Sequence, residues 1–196
     1  RVNLPTAAWL ESPAPATRFI LRGAAAARAA AGRGFGLSLP ETACRASTDG
    51  NRAALWLGPD EQLLLAPDAE AELIEASLAR ALQGHAHSLV DVSHRQVGIG
   101  LHGPRAEWLL QSQCPLPLNL RDFPAGMCTR TIFGKAEIVL WRPAEQVFRL
   151  EVWRSFATYV VELLCEVAHL GVRDRRANAV PAVAGEEVET CRGSTG

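Results

Sequence analysis

The sequence predicts an α+β fold made of two similar, intertwined halves, each running strand, helix, paired strands, helix. Three observations carry this reading. Short stretches alternate apolar and polar residues with period two, whereas others repeat apolar residues at helical spacing. These stretches occur in the same order twice along 196 residues. The two passages also align: FILRGAAAARAA lies over GIGLHGPRAEWLL, and LWLGPDEQLLLAPDAEAELIEASLARAL over VLWRPAEQVFRLEVWRSFATYVVELLCEVA. The expected domain is residues 1–171, with halves at about 18–84 and 89–171, followed by an extended tail over 172–196.

In the first half, RFILRG (Arg18 to Gly23) reads as a strand and AAAARAAA as a helix, since alanine is the best helix former. GRGFG (Gly32 to Gly36) follows a helical segment, and its glycine spacing does not fit a dinucleotide fingerprint. It is expected to be a flexible connection or a bulged strand. RAALWLGPDEQLLLAP reads as a hairpin turning at GPDE. The next helix is expected to be capped by Asp68, with Leu73, Ile74, Leu78 and Leu82 as its apolar stripe and Gly84 as its stop.

In the second half, VGIGLHG is a strand with Val97, Ile99 and Leu101 on one face. Gly103 and Pro104 open a helix through PRAEWLLQS, because proline is tolerated at the first helical position. CPLPLNLRDFPAG is a proline-punctuated connection. CTRTIFGKAEIVLW and QVFRLEVW then supply strands joined by RPAE. Ser155 is expected to cap the last helix, whose stripe is Phe156, Val160, Leu163, Leu164 and Val167, ending near Gly171.

Between the halves lies LVDVSHRQ. Val90 and Val92 occupy even positions, whereas Val97, Ile99 and Leu101 occupy odd ones. The apolar face therefore switches across SHRQ, which implies a bulge, a bend or a crossing between the halves.

Composition narrows the function classes. A formal charge of −1 gives no general attraction to nucleic acid or to acidic membranes. No apolar run approaches the roughly 18 residues of a membrane span, and RVNLPTAAWLESPAPATRF lacks the order of a secretory signal. Cys44, Cys114, Cys128, Cys165 and Cys191 are odd in number and show no zinc-type pairing, so reduced structural thiols are expected. A cytoplasmic protein without nucleic-acid or membrane partners is the expectation.

Local chemistry is equally sparse. His85 and His87 would share a strand face, but no further metal ligands stand at suitable spacing, so no metal site is expected. Asp91, Ser93 and His94 cannot form a triad within one strand, because adjacent side chains point to opposite faces. The polar cluster is expected to satisfy loose backbone groups, with Arg95 paired to a carboxylate. No GxSxG elbow occurs. No catalytic residue is assigned, and cofactor-binding residues are unknown.

DVSHR, the GP before the next helix, CPL before FPAG, the CTRT-to-KAEI hairpin and RSFA resemble the gamma-subunit family of heterotetrameric sarcosine oxidases, over roughly residues 50–170. The resemblance implies the fold of the folate-binding domain of aminomethyltransferases. It further implies membership of an alpha, beta, gamma and delta complex, with the large alpha subunit as main partner. Such a complex oxidatively demethylates sarcosine to glycine, forming hydrogen peroxide and 5,10-methylenetetrahydrofolate. FAD, FMN, NAD and zinc are expected on the other subunits, tetrahydrofolate serves as cosubstrate, and no cofactor is expected in this chain. Under that reading Trp9, Arg95 and Trp108 are candidate interface residues, since Trp and Arg favour hot spots; core packing is the alternative for the tryptophans. Two other readings stay open. One is a stand-alone folate-binding one-carbon protein, and the other is the small subunit of an N-methylglutamate dehydrogenase-like complex.

Overall fold

Eleven strands and four helices follow from these patterns in a computed structural model that describes residues 1–177, with side chains through residue 171. The strands are β1 (Val2–Leu4), β2 (Ala8–Glu11), β3 (Ala16–Gly23), β4 (Ala46–Asp49), β5 (Arg52–Gly58), β6 (Glu61–Pro67), β7 (His87–Asp91), β8 (Gln96–His102), β9 (Cys128–Phe133), β10 (Ala136–Ala144) and β11 (Val147–Trp153). The helices are α1 (Ala25–Phe35), α2 (Ala71–Ala81), α3 (Ala106–Gln111) and α4 (Ala157–Ala177).

The strands form two antiparallel sheets, ordered β4-β5-β6-β3-β7 and β9-β10-β11-β8-β2-β1. Stripping each sheet to its four leading strands leaves the same order twice, as the duplicated sequence predicts. The remaining strands are exchanged. β7, which precedes the second half, pairs with β3 of the first sheet through Phe19↔Asp91 and Leu21↔Leu89. Conversely β2, which precedes the first half, pairs with β8 of the second sheet through Leu10↔Leu101.

Alternation then builds four layers. Phe19, Leu21 and Leu64 point outward from the first sheet onto Ala27, Ala31 and Phe35 of α1 and Ile74 and Leu78 of α2. Ile99, Leu101, Leu140, Phe148, Leu150 and Val152 likewise meet Leu109 and Leu110 of α3 and Val160 and Leu164 of α4. Between the sheets lie Ala53, Leu55, Leu63 and Leu65 against Val92, Cys128, Val139 and Trp141. This explains the unbroken run Leu63-Leu64-Leu65: β6 is covered on both faces. Burial in the middle layer pushes the Cys128 thiol up to about 12, the loss of solvent outweighing a backbone hydrogen bond at Trp56 that acts the other way. It therefore stays protonated where an exposed thiol would ionise.

Several expectations are corrected by packing. GRGFG is neither a flexible connection nor a bulged strand: it completes α1, whose C-terminus is closed by Gly36 in the left-handed region (φ 76°). Gly34 sits there because α2 passes so close that a Cβ would lie 2.7 Å from Ala81 Cβ and 2.9 Å from Ser77 O. Ser77 Oγ donates to Gly34 O at 2.8 Å across the same contact. Asp68 and Ser155 do not cap helices through their side chains. Each lies in a 3-10 turn, Asp68–Glu70 or Arg154–Phe156, that leads into its helix.

Leu73 is 69% exposed and Phe156 41% exposed, so the two buried stripes are narrower than the periodicity implies. Helix α4 continues past Gly171 to Ala177, and the tail expected beyond that point lies outside the described residues. No helix among the described residues is long and apolar enough to cross a membrane.

Candidate functional site at the crossing of the two halves

The chain passes from one sheet to the other at two places, Ser12–Pro15 between β2 and β3 and Val92–Arg95 between β7 and β8. The parity switch across SHRQ is thus a crossing. Val92 is buried, while Val90, on the same face, is 49% exposed. The two crossings border a cleft of about 310 Å³, which also contacts Arg18, Asp68, Ser93, Gly98 and Arg154.

The polar cluster of the second crossing is spent on the backbone. Asp91 Oδ1 accepts from Ser93 N at 2.7 Å and from Ser93 Oγ at 2.5 Å. Ser93 Oγ in turn accepts from Arg18 N at 2.8 Å and lies 3.1 Å from Thr17 Oγ1. This is an Asx-type turn that ties β7 to β3. The His94 ring is exposed and makes no hydrogen bond to Ser93 or Asp91; the residue contributes its carbonyl, which accepts from Arg154 Nε at 2.9 Å. Arg95 is not paired to a carboxylate. Its guanidinium lies 5.1 Å from the centre of the Trp153 ring, a cation–π contact.

Beneath the crossing is a charge cluster that the sequence reading missed. Glu151 is 1% exposed and accepts from Arg18 Nε at 2.6 Å and from Arg149 Nε at 2.7 Å. Arg18 comes from β3 and the other two from β11, so the cluster bolts one sheet to the other. Space for it is made by Gly98, where a Cβ would lie 3.1 Å from Glu151 Oε1 and 3.3 Å from both Arg18 Nη2 and Arg149 Nη2. One signal was available. In FRLEVW the alternation that buries Phe148, Leu150 and Val152 on the helix face puts Arg149, Glu151 and Trp153 on the other. A glutamate amid that much apolar sequence must find cations.

A second missed residue is Arg142, 1% exposed, within the stretch read as a joint. Its Nη1 donates to Leu118 O at 2.7 Å and Phe123 O at 2.9 Å, its Nε to Glu145 O at 3.0 Å, and its Nη2 to Glu107 Oε2 at 3.1 Å. It stacks on Phe148 at 4.6 Å. It therefore holds the proline-punctuated connection onto the second sheet.

The candidate interface residues do not come together. Trp9 is half-buried on β2, stacked on His102 with ring centres 5.4 Å apart and with Arg1 4.3 Å over it. Trp108 leaves α3 to lie against Gly171 of α4, where a Cβ would come within 2.2 Å of its ring, and Arg105 covers it at 4.3 Å. Arg95 is at the crossing. His87 Nδ1 contacts His85 O, and among the described residues no group of His, Cys, Asp and Glu could hold a metal ion.

Two packed antiparallel sheets backed by helix pairs, with exchanged edge strands and polar groups engaged in holding them together, define a protein of the aminomethyltransferase-like fold class. Glycine cleavage system aminomethyltransferase T from Bartonella henselae shares this fold, with a TM-score of 0.60 at 17% identity over 81% of this chain and 45% of that one. A chain of the heterotetrameric sarcosine oxidase from Corynebacterium sp. U-96, solved in complex with pyrrole 2-carboxylate, matches at a TM-score of 0.79 and 30% identity, covering 86% of this chain and 87% of that chain.

The Sarcosine oxidase subunit gamma of Corynebacterium sp. strain U-96 is 34% identical over 144 residues, 74% of this chain and 68% of the relative. That of strain P-1 is 35% identical over 114 residues, 58% of this chain and 55% of the relative. The match thus spans little more than half of the shorter-matched relative's length. The family model for the sarcosine oxidase gamma subunit matches residues 22–169, and the chain belongs to that family.

Proposed function

We propose that this chain is the gamma subunit of a heterotetrameric sarcosine oxidase and acts in its assembly, with no catalytic group of its own. The observation that carries this reading is the likeness over 86% of the chain to a chain of a solved heterotetramer of that name. Its polar side chains point the same way. Ser93, Asp91, Arg18 and Glu151 are committed to hydrogen bonds at the junction of the two halves, and Arg142 to those that hold the proline-punctuated connection on the second sheet.

The reaction belongs to the assembly: oxidative demethylation of sarcosine to glycine, with hydrogen peroxide and 5,10-methylenetetrahydrofolate formed. FAD, FMN, NAD and zinc reside on the other subunits, and the alpha subunit is the main partner, joined by beta and delta. Trp9, Arg95 and Trp108 are retained as interface residues. Each presents an aromatic–cation pair at or near the surface, the chemistry that favours hot spots.

Co-expression with the other three subunits tests this. The chain is expected to co-purify with them, and omitting it is expected to lower the yield of assembled oxidase. A chain that stays monomeric and stable while the other three assemble without it would contradict the role. Stoichiometric binding of tetrahydrofolate by the isolated chain in calorimetry would favour the stand-alone folate-binding alternative.

A further inference from the structure

The internal duplication supplies a control that singles out one surface. Pro67, at the end of β6, and Trp153, at the end of β11, have nearly the same backbone: φ −56°, ψ 137° and φ −60°, ψ 134°. Each is followed by a three-residue 3-10 turn, Asp68–Glu70 or Arg154–Phe156, and then by a helix. In the first half these positions carry Pro67, Asp68 and Glu70, and Glu70 is tied to Arg52. In the second they carry Trp153, 43% exposed, Arg154, and the exposed Phe156. The backbone forms without aromatic side chains, so local folding does not account for two of them in solvent.

The cations beside them are free to bind. Arg154 N donates to Arg95 O at 2.8 Å and Arg154 Nε to His94 O, which fixes the 93–95 crossing against the turn. The Arg95 guanidinium rests on Trp153 and makes no ion pair within the described residues; nor does Arg154. Three carboxylates are close by: Glu137 and Glu151 line a cleft with Arg95 and Trp153, and Asp68 lies across the crossing cleft from Arg154. Glu151 is taken by Arg18 and Arg149, and neither of the other two closes a pair with Arg95 or Arg154. Two exposed arginines, Arg22 and Arg130, close pairs on Asp60 and Glu61, whereas Arg33, Arg45, Arg80 and Arg121 stand unpaired within the described residues, without an exposed aromatic ring beside them. What sets Arg95 and Arg154 apart is their place next to Trp153 and Phe156.

We propose that the ridge formed by Arg95, Trp153, Arg154 and Phe156 docks an acidic segment of a neighbouring chain, an Asp or Glu next to an apolar residue. The planar guanidinium groups present N–H forks suited to a carboxylate, and the exposed rings take the apolar neighbour. This rests on the subunit reading and names the chemistry of its partner.

The test uses the assembly co-expressed with a tagged chain. Arg95→Glu with Arg154→Glu is expected to lower the partner chains recovered per tagged chain about tenfold, while Arg22→Glu, on an exposed pair elsewhere, leaves recovery within about twofold. Arg95→Lys and Arg154→Lys keep the charge and add an amine. Treating those assemblies with carbodiimide is expected to join position 95 or 154 to an Asp or Glu of another subunit, read by peptide mass spectrometry.

Full recovery with the double reversal would overturn the proposal. Links from these positions only within this chain would do the same, and the lysine variants decide the matter if the reversal does not fold. If the unaltered chain recovers no partner, the subunit reading falls as well. If it recovers them and the ridge variants match it, the ridge alone is wrong.

Discussion

Replacing Glu151 with alanine is expected to destabilise the fold by about 3–5 kcal/mol, because it leaves two guanidinium groups in the sheet interface without their shared carboxylate. In a chain of this size that lowers the thermal midpoint by roughly 6–20 °C. Arg18 and Arg149 come from different sheets and meet only on Glu151, so the loss falls on the contact that joins the halves. A triple replacement, Arg18→Met, Arg149→Met and Glu151→Leu, should recover much of the loss, since a well-packed apolar set avoids the desolvation of all three charges. Thermal unfolding followed by circular dichroism checks both. A midpoint unchanged in Glu151→Ala would show that the cluster does not hold the sheets.

The second large effect is expected at Arg142. Arg142→Met keeps the length of the side chain over Phe148 but strips the carbonyls of Leu118, Phe123 and Glu145 of their donor. Buried acceptors left unpaired cost about 1–3 kcal/mol each, so a loss of about 3–5 kcal/mol is expected. Arg142→Lys should recover little, because one ammonium cannot reach three carbonyls that a planar fork reaches at once. The damage should also be local. Hydrogen exchange is expected to rise first between residues 115 and 127, which this guanidinium ties to the second sheet beside the buried side chains of Leu118 and Phe123. Uniform exchange across the chain would contradict that anchoring.

The duplicated order of strands and helices was legible because alternation and helical periodicity are local signals. The hairpin at GPDE, the Ala-rich α1 and the crossing at SHRQ all follow from residues close in sequence. What alternation cannot say is where a strand goes after it crosses. Nothing in LVDV or AWLE marks β7 for the first sheet and β2 for the second, because their partners lie far away in the chain.

Long-range packing also decided the smaller errors. Gly34 reads as part of a loose connection until α2 is placed against it, where the absence of a side chain is what admits the helix; Gly32 instead lets the backbone of Leu37 to Leu39 turn close by. Leu73 and Phe156 fit their stripes by spacing, yet each stands at the helix margin, outside the covered arc. At the site, the Asp91 and Ser93 side chains of DVSHR bond nearby backbone groups as expected, but its Arg95 found an aromatic ring in place of a carboxylate. The ring belongs to Trp153, 58 positions on, and only the pairing of Gln96 with Trp153 brings the two together.

Under the proposed function this chain works as one member of a flavin-bearing assembly. Affinity purification of the tagged chain from its native host, with mass spectrometry and a visible absorption spectrum on the same sample, tests it most directly. The account predicts larger co-purifying chains and a flavin spectrum. A colourless chain recovered alone would contradict it.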